Sequence, residues 1–209
     1  MIEVYYASPS IYGRKVLAVL EEKGLDYEIK LMSFAAGDHK KPEFEKINPN
    51  GEIPAMVDDG QIIYESTAMI EYLNDEYPEP PLLPEDSYGR AKVRMIEDYC
   101  DLHFYKAVVK CLIKGKIEGK PLEETDKSPV SVSLKRLEDY LGKQNYMAGD
   151  KVSLADFAAL AGLVSLEPIG IGELLTLASL KKYIERMKKH AGYKGAAMFK
   201  PAETSAAKV

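Results

Sequence analysis

The chain has 209 residues, 46% apolar and 29% charged, with 28 Lys and Arg against 33 Asp and Glu for a formal net charge of −5. That composition is that of an ordinary globular protein and excludes the disordered class; no apolar run approaches the ~20 residues of a membrane-crossing helix, and the opening MIEVYYASPS has neither the basic nor the apolar region of a secretion signal. Two cysteines, Cys100 and Cys111, without a Cys-x-x-Cys pair exclude a disulfide scaffold, a thiolate metal cluster and a dithiol redox centre, so no metal and a reducing cytoplasm are expected.

The first third alternates strand and helix signals. Ile2–Tyr6 is a short β-favouring run, ended by the turn residues Ser8-Pro9-Ser10. Val16, Leu17 and Leu20 follow helical spacing over residues 13–23, and Gly24 suits the position just past a helix end. Tyr27, Ile29 and Leu31 then alternate with charged residues as a half-covered strand does. A looser stretch over 33–50 holds one helical turn near 42–46. Two apolar runs, 53–57 and 61–64, flank Asp59-Gly60, a strong hairpin signal because that turn needs positive φ. Ser66 is placed to cap a helix reaching about Tyr77. The order βαβ then ββα predicts a small mixed sheet with helices packed on it.

Pro78, Pro80, Pro81 and Pro84 mark a linker. Beyond it only helical spacing appears, over 88–114, 130–141, 154–166 and 177–189. Ser153 and Asp156 form a short capping box, with Val152 and Phe157 placed as a hydrophobic staple. The expected division is 1–78 for the α/β domain, 79–87 for the linker and 88–209 for an all-helical domain. Residues 180–209 carry eight Lys and Arg against two Asp and Glu, leaving −11 on residues 1–179. Without a repeated pattern or interleaved aromatics, this basic end reads as a solvated helix and chain end rather than a nucleic-acid surface.

In order and spacing, Asn48-Pro-Asn-Gly-Glu-Ile-Pro54, Glu65-Ser66, Tyr146-Met-Ala-Gly-Asp150 and Ser153-Leu-Ala-Asp156 resemble the cytosolic glutathione S-transferases over nearly the whole chain. The resemblance implies a thioredoxin-like first domain that binds glutathione, an all-α second domain, and a homodimer. It weakens around 113–128 and after Lys189. The turn Ser8-Pro-Ser-Ile-Tyr-Gly-Arg14 is the expected chemical centre, because free N–H groups and the dipole at a helix start favour an anion. In the serine-type classes (theta, delta and phi) the thiol-activating serine stands four residues before an arginine, as Ser10 stands before Arg14. Tyr6 or Tyr5 is the alternative, since other classes use a tyrosine at the end of this strand. Gly13 stands where several classes carry cysteine, which argues against a mixed-disulfide mechanism.

A proline opening a strand belongs at an edge or in a special geometry. The resemblance implies a cis Ile53–Pro54 bond that presents the Ile53 backbone to the cysteinyl part of glutathione. It likewise implies that Ser66 and Glu65 receive the γ-glutamyl carboxylate and ammonium group, and that His39 meets the glycyl end. Glu52 lies near that end too, where its charge opposes the glycyl carboxylate unless Lys40 or Lys41 compensates. Leu102 and Tyr105 are expected on one wall of the electrophile pocket, Ile11 and Tyr12 on the other, with Phe104 in the core. The implied reaction joins the glutathione thiolate, as co-substrate, to a small apolar electrophile. The alternatives are a non-catalytic binding or assembly module on the same fold, and a specialised glutathione-dependent dehalogenase or isomerase.

Overall fold

The computed structural model describes residues 1–198. Its first half runs β1 (Ile2–Tyr6), α1 (Ile11–Lys23), β2 (Tyr27–Leu31), α2 (Pro42–Glu45), β3 (Ala55–Asp58), β4 (Gln61–Tyr64) and α3 (Ser66–Glu76). One four-stranded sheet has the order β2-β1-β3-β4, with β1 parallel to β2 and antiparallel to β3. The Asp-Gly signal closes the last hairpin: Asp59 and Gly60 have φ of 44° and 84°, and Asp58 pairs with Gln61. Alternation along β1 buries Ile2, Val4 and Tyr6 in the main core with Leu17 and Leu20 of α1 and Met69 and Leu73 of α3. Tyr5 leaves by the other face and packs on Phe44, with ring centroids 5.7 Å apart, beside Ile53 and Ala55.

The second half is all helix, as the sequence predicts. α4 (Ser87–Tyr99) passes through a π turn over Cys100–Phe104 into α5 (Tyr105–Leu112), and a second π turn covers Ile113–Ile117. Then come α6 (Glu124–Leu141), α7 (Leu154–Leu163), α8 (Leu166–Ile169), α9 (Ala178–Met187) and α10 (Gly192–Ala196). The helix expected from residue 130 starts earlier because the Asp126 carboxylate accepts the Glu123 N–H at 3.0 Å, fixing the first turn ahead of Pro129. α7 is buried along its whole length, so the helical half is built around it. Among the described residues no helix is long and apolar enough to cross a membrane. The basic end of the chain continues through Lys200 and Lys208, which lie outside the described residues.

Sheet and helices share one core. Lys23 Nζ donates to the Tyr77 and Pro80 carbonyls at 2.7 and 2.8 Å, and Leu82, in the proline-rich stretch, is held by Asn74 Oδ1 and by the Leu154 N–H. α10 lies so close on α1 that a Cβ at Gly195 would sit 2.4 Å from the Leu17 carbonyl oxygen, so this position takes only glycine. Arg14 is fully buried and donates from α1 to Ser165 Oγ and to the Ala196 carbonyl, tying the sheet half to the helical half. That contact gives the arginine of the first turn a structural task.

Candidate active site

A cleft of about 840 Å³ opens between the C-terminal end of β1, the loops around α2 and β3, and the rod formed by α4 and α5. Ser10, Ile11, Tyr12, His39, Glu52, Ile53, Pro54, Glu65, Ser66 and Leu102 all line it. Residues scattered over more than ninety positions thus meet in one cleft, because β1 ends, and β3 and α3 begin, on the side faced by the π turn.

Ser10 is the N-cap of α1. Its Oγ accepts the Gly13 N–H at 3.1 Å, while its own N–H donates to the Ala7 carbonyl at 2.8 Å. A hydroxyl carries one proton and two lone pairs. Capping uses a lone pair, so the proton stays available to a ligand in the cleft. The first N–H groups of a helix have no partner within it, and they share that end with Ser10.

Tyr6 and Tyr5 do not reach the cleft. Tyr6 is fully buried, its hydroxyl donates to the Met198 carbonyl at 2.9 Å, and burial raises its pKa. The Tyr6 ring also explains Gly13, since a Cβ there would lie 2.5 Å from the ring. Tyr5 faces α2 instead.

The Ile53–Pro54 bond is cis. The loop before it is held by buried Asn48, whose Nδ2 donates to the Glu52 carbonyl at 2.7 Å and whose Oδ1 accepts the Asn50 N–H at 3.0 Å. Glu65 has φ 68°, a left-handed conformation in a residue with a side chain, and it precedes α3 as its N-cap. Such strain concentrates at ligand clamps. Ser66, expected as the cap, is instead the first helical residue, and it is buried. His39 packs edge-on against Phe34, with centroids 5.1 Å apart, and its buried Nδ1 has no hydrogen-bond partner among the described residues. Lys40 lines the cleft next to it. Lys41 does not, because Asp38 holds it at 2.6 Å.

Tyr105, expected on the electrophile wall, is fully buried, and its hydroxyl donates to the Ala158 carbonyl at 2.5 Å. The π turn is the cause. Hydrogen bonding to the fifth residue widens the turn, so residues three apart no longer share a face. Tyr105 instead stands behind Tyr12, edge to face at 5.0 Å, and stiffens that wall. The Tyr12 hydroxyl donates to the Asp101 carbonyl at 3.2 Å, and burial first, then the Asp101 and Glu52 carboxylates, push its pKa up to about 12.

A polar cluster beneath the cleft was not legible in the sequence. Lys15 of α1, fully buried, donates to Asp101 at 2.8 Å, to Thr67 at 3.0 Å and to Glu97 at 3.4 Å. Burial pushes the Glu97 carboxyl up to about 7 against the pull of Lys15. Thr67 and Asp101 reach the cleft surface, so this cluster joins the start of α3 to the π turn at the site. The apolar lining residues Val109, Ile113 and Ile117, equally unexpected from the sequence, lie down the same rod. Their spacing from Leu102 was the available signal. No cluster of His, Cys, Asp and Glu fit to hold a metal ion occurs among the described residues.

Residues 9–76 match the family model "Glutathione S-transferase, N-terminal domain" and residues 100–190 match "Glutathione S-transferase, C-terminal domain". The chain is 32% identical to a maleylacetoacetate isomerase of Pseudomonas aeruginosa, covering 80% of this chain and 81% of that one. It is 33% identical to glutathione S-transferase 3 of Zea mays, covering 77% and 76%. Among solved structures, a delta-class glutathione transferase of Nilaparvata lugens superposes with a TM-score of 0.84 at 30% identity, covering 94% of this chain and 92% of that one.

Proposed function

The chain belongs to the glutathione S-transferase family, and on that premise we propose that it is a serine-type transferase conjugating glutathione to small apolar electrophiles. The observation that carries this reading is Ser10: a hydroxyl at the start of a long helix, its lone pair engaged by Gly13 and its proton without an acceptor among the described residues, inside a cleft that also contains the Ile53 backbone and Glu65. A free thiol has a pKa of about 8.5 and is mostly protonated at neutral pH. A hydroxyl donor and a helix N-terminus stabilise the thiolate. The thiol proton leaves to solvent and the sulfur forms a C–S bond with the electrophile; a leaving group departs with its bonding pair, or, in an addition, the electrophile's π bond opens and its electron pair takes up a proton from solvent. Proximity supplies the rest.

In the same reading the Ile53 N–H and C=O pair with the cysteinyl backbone, and Glu65 takes the γ-glutamyl ammonium while Ser66 and the start of α3 take its carboxylate. His39 and Lys40 face the glycyl carboxylate, with Lys40 offsetting Glu52. A non-catalytic module would not need a free hydroxyl at a helix start within a cleft, and that favours the enzyme. Glu65→Ala removes the ammonium partner and should lower glutathione affinity about tenfold, the scale of one charge-assisted hydrogen bond. The readout is retention on immobilised glutathione together with calorimetric titration. Unchanged affinity rejects this placement of the tripeptide.

We also propose a homodimer, with residues 1–78 and 88–209 as its two domains in each copy. Ile62 and Tyr64 on β4, and Tyr88 and Met95 on α4, expose large apolar side chains, Tyr88 to 80%. A second copy is the occupant that would cover them. Sedimentation velocity at micromolar concentration should give twice the chain mass, and Met95→Glu should shift it toward a single chain. A wild-type monomer removes the proposal.

A further inference from the structure

The electrophile half of the cleft is formed along one face of the α4–α5 rod. Leu102, Lys106, Val109 and Ile113 all line the cleft at helical spacing. Leu102 and Ile113 are exposed to 53% and 43%, a costly arrangement for large apolar side chains unless a ligand covers them. Lys106 interrupts this stripe at its middle. Lys106 has no acidic partner among the described residues; the same holds for Lys40 at the first-domain end of the cleft, which bonds the Asn50 carbonyl, but not for Lys15, Lys110, Lys114 or Lys120. Lys15 is held by Asp101, Lys114 and Lys110 share Asp126 at 2.5 and 3.5 Å, and Lys120 meets Glu118 at 2.8 Å.

Lys106 also stands where two cavities meet. A second groove of about 490 Å³ shares Tyr12, Lys106, Val109 and Ile113 with the main cleft and continues outward past Lys110, Lys114, Lys120 and Glu118. Four lysines face two carboxylates there, counting Asp126, so the outer groove attracts anions. Three acids, Asp101, Glu52 and Glu65, lie toward the other end. Asp101 is paired with Lys15, and Lys40 beside Glu52 is taken by the glycyl carboxylate in the proposed glutathione pose, so the cations left for an electrophile's acidic tail are those of the outer groove. An electrophile with an acidic tail therefore enters with its apolar, reactive end inward and its charge outward.

We propose that Lys106 makes this site selective for apolar electrophiles carrying a carboxylate remote from the reacting carbon. The inference deepens the transferase reading and rests on it for the reaction. The selectivity itself is a binding property of the cleft, so it can be read separately.

Two matched acid and ester pairs test it on the full chain. The unreactive pair is 4-phenylbutyrate and its methyl ester, followed by calorimetry. The reactive pair is 4-chloro-3,5-dinitrobenzoate and its methyl ester, followed by conjugation with glutathione, in which the C–S bond replaces C–Cl and chloride leaves. The wild type should prefer the acid in both. Lys106→Met should reduce the acid-to-ester ratio of affinity and of kcat/KM by about fivefold, the scale of an exposed ion pair. Lys106→Arg should keep the preference, and added salt should erode it. An acid-to-ester ratio unchanged by Lys106→Met in either pair overturns the inference while leaving the transferase reading intact. A binding preference that tracks Lys106, with neither chlorinated compound conjugated, upholds the acid-selective site and rejects the transferase reading instead.

Discussion

Ser10→Ala should lower kcat/KM for conjugation of glutathione with 1-chloro-2,4-dinitrobenzene by about a hundredfold, the scale of losing one donor aimed at a developing or stabilised anion. The substitution removes two things at once, the hydroxyl proton and the acceptor for the Gly13 N–H. Losing the cap costs roughly 1 kcal/mol of stability, whereas glycine at an N-cap costs only a few tenths. Ser10→Gly separates the two roles: its activity should fall as far as that of Ser10→Ala, while its melting temperature stays near the wild type. The rising limb of the pH–rate profile should also move toward the free-thiol value of about 8.5 in both variants, because the thiolate has lost its partner. Wild-type rates in Ser10→Ala with a large loss in Tyr6→Phe would transfer the role to the tyrosine. The geometry opposes that outcome, since the Tyr6 hydroxyl is already spent on the Met198 carbonyl.

What the sequence disclosed and what it concealed divide along a physical line. Signals made within a few residues were legible. Asp59-Gly60 specified a turn through its positive φ, and Ser153 and Asp156 formed their box with bonds of 2.9 Å despite the short side chain. The first-domain half of the cleft was named through the family resemblance, and Ser10, Ile53, Glu65 and Ser66 do line it beside strand ends and helix starts, with His39 on the turn before α2. The failures came where a non-local fact decided the outcome. The backbone at Glu65 took a left-handed conformation that placed Ser66 inside the helix rather than at its cap. Tyr105 was expected on one wall with Leu102, and a π turn at Cys100–Phe104 altered the spacing between the two. Lys15 carried no signal at all. A lysine on an amphipathic helix ordinarily reaches water, and only the approach of Asp101 and Glu97, more than eighty residues away, permits its burial.

The same π turn links the two halves of the cleft. It turns Asp101 toward Lys15 and Thr67, and so toward the start of α3, while Leu102 lines the cleft. One local distortion of one rod thus touches both the start of α3 and the apolar stretch of the cleft. A side chain such as Lys106 can then vary along that rod without disturbing the Ser10 end, which is built from β1 and α1. Separation of this kind lets a single fold keep its thiol chemistry while its second substrate changes.

Removal of the Asp156 carboxylate should destabilise the fold far more than loss of the Ser10 cap. The side chain is fully buried, and its two oxygens each accept two donors: Oδ1 takes the Met147 N–H at 2.8 Å and the Tyr183 hydroxyl at 3.0 Å, while Oδ2 takes the Ser153 N–H and Oγ, both at 2.9 Å. It therefore joins the loop before α7, the first turn of α7 and the α9 helix at one point. Asp156→Ala leaves those buried donors unmatched and should cost about 3–5 kcal/mol, as breaking a buried charged network does. At this chain length that is a fall of roughly 10 °C in melting temperature. Asp156→Asn should recover little of it, because its amide nitrogen must face two donors where an oxygen accepted both. The pH dependence gives an independent check. Burial outweighs the bonds from Met147, Ser153 and Tyr183 and pushes the Asp156 carboxyl from its ordinary 3.8 up to about 6. Between those values the folded chain holds a proton that the unfolded chain has released, so this contribution to stability is full below about pH 4 and is lost as pH rises through 6. Other carboxylates titrate alike in both proteins and cancel in the difference. The stability gap between wild type and Asp156→Asn, measured by denaturant titration from pH 4 to 7, should narrow as pH rises. A gap that widens instead would mean that the four donors prevail over burial and hold the carboxylate in its charged form.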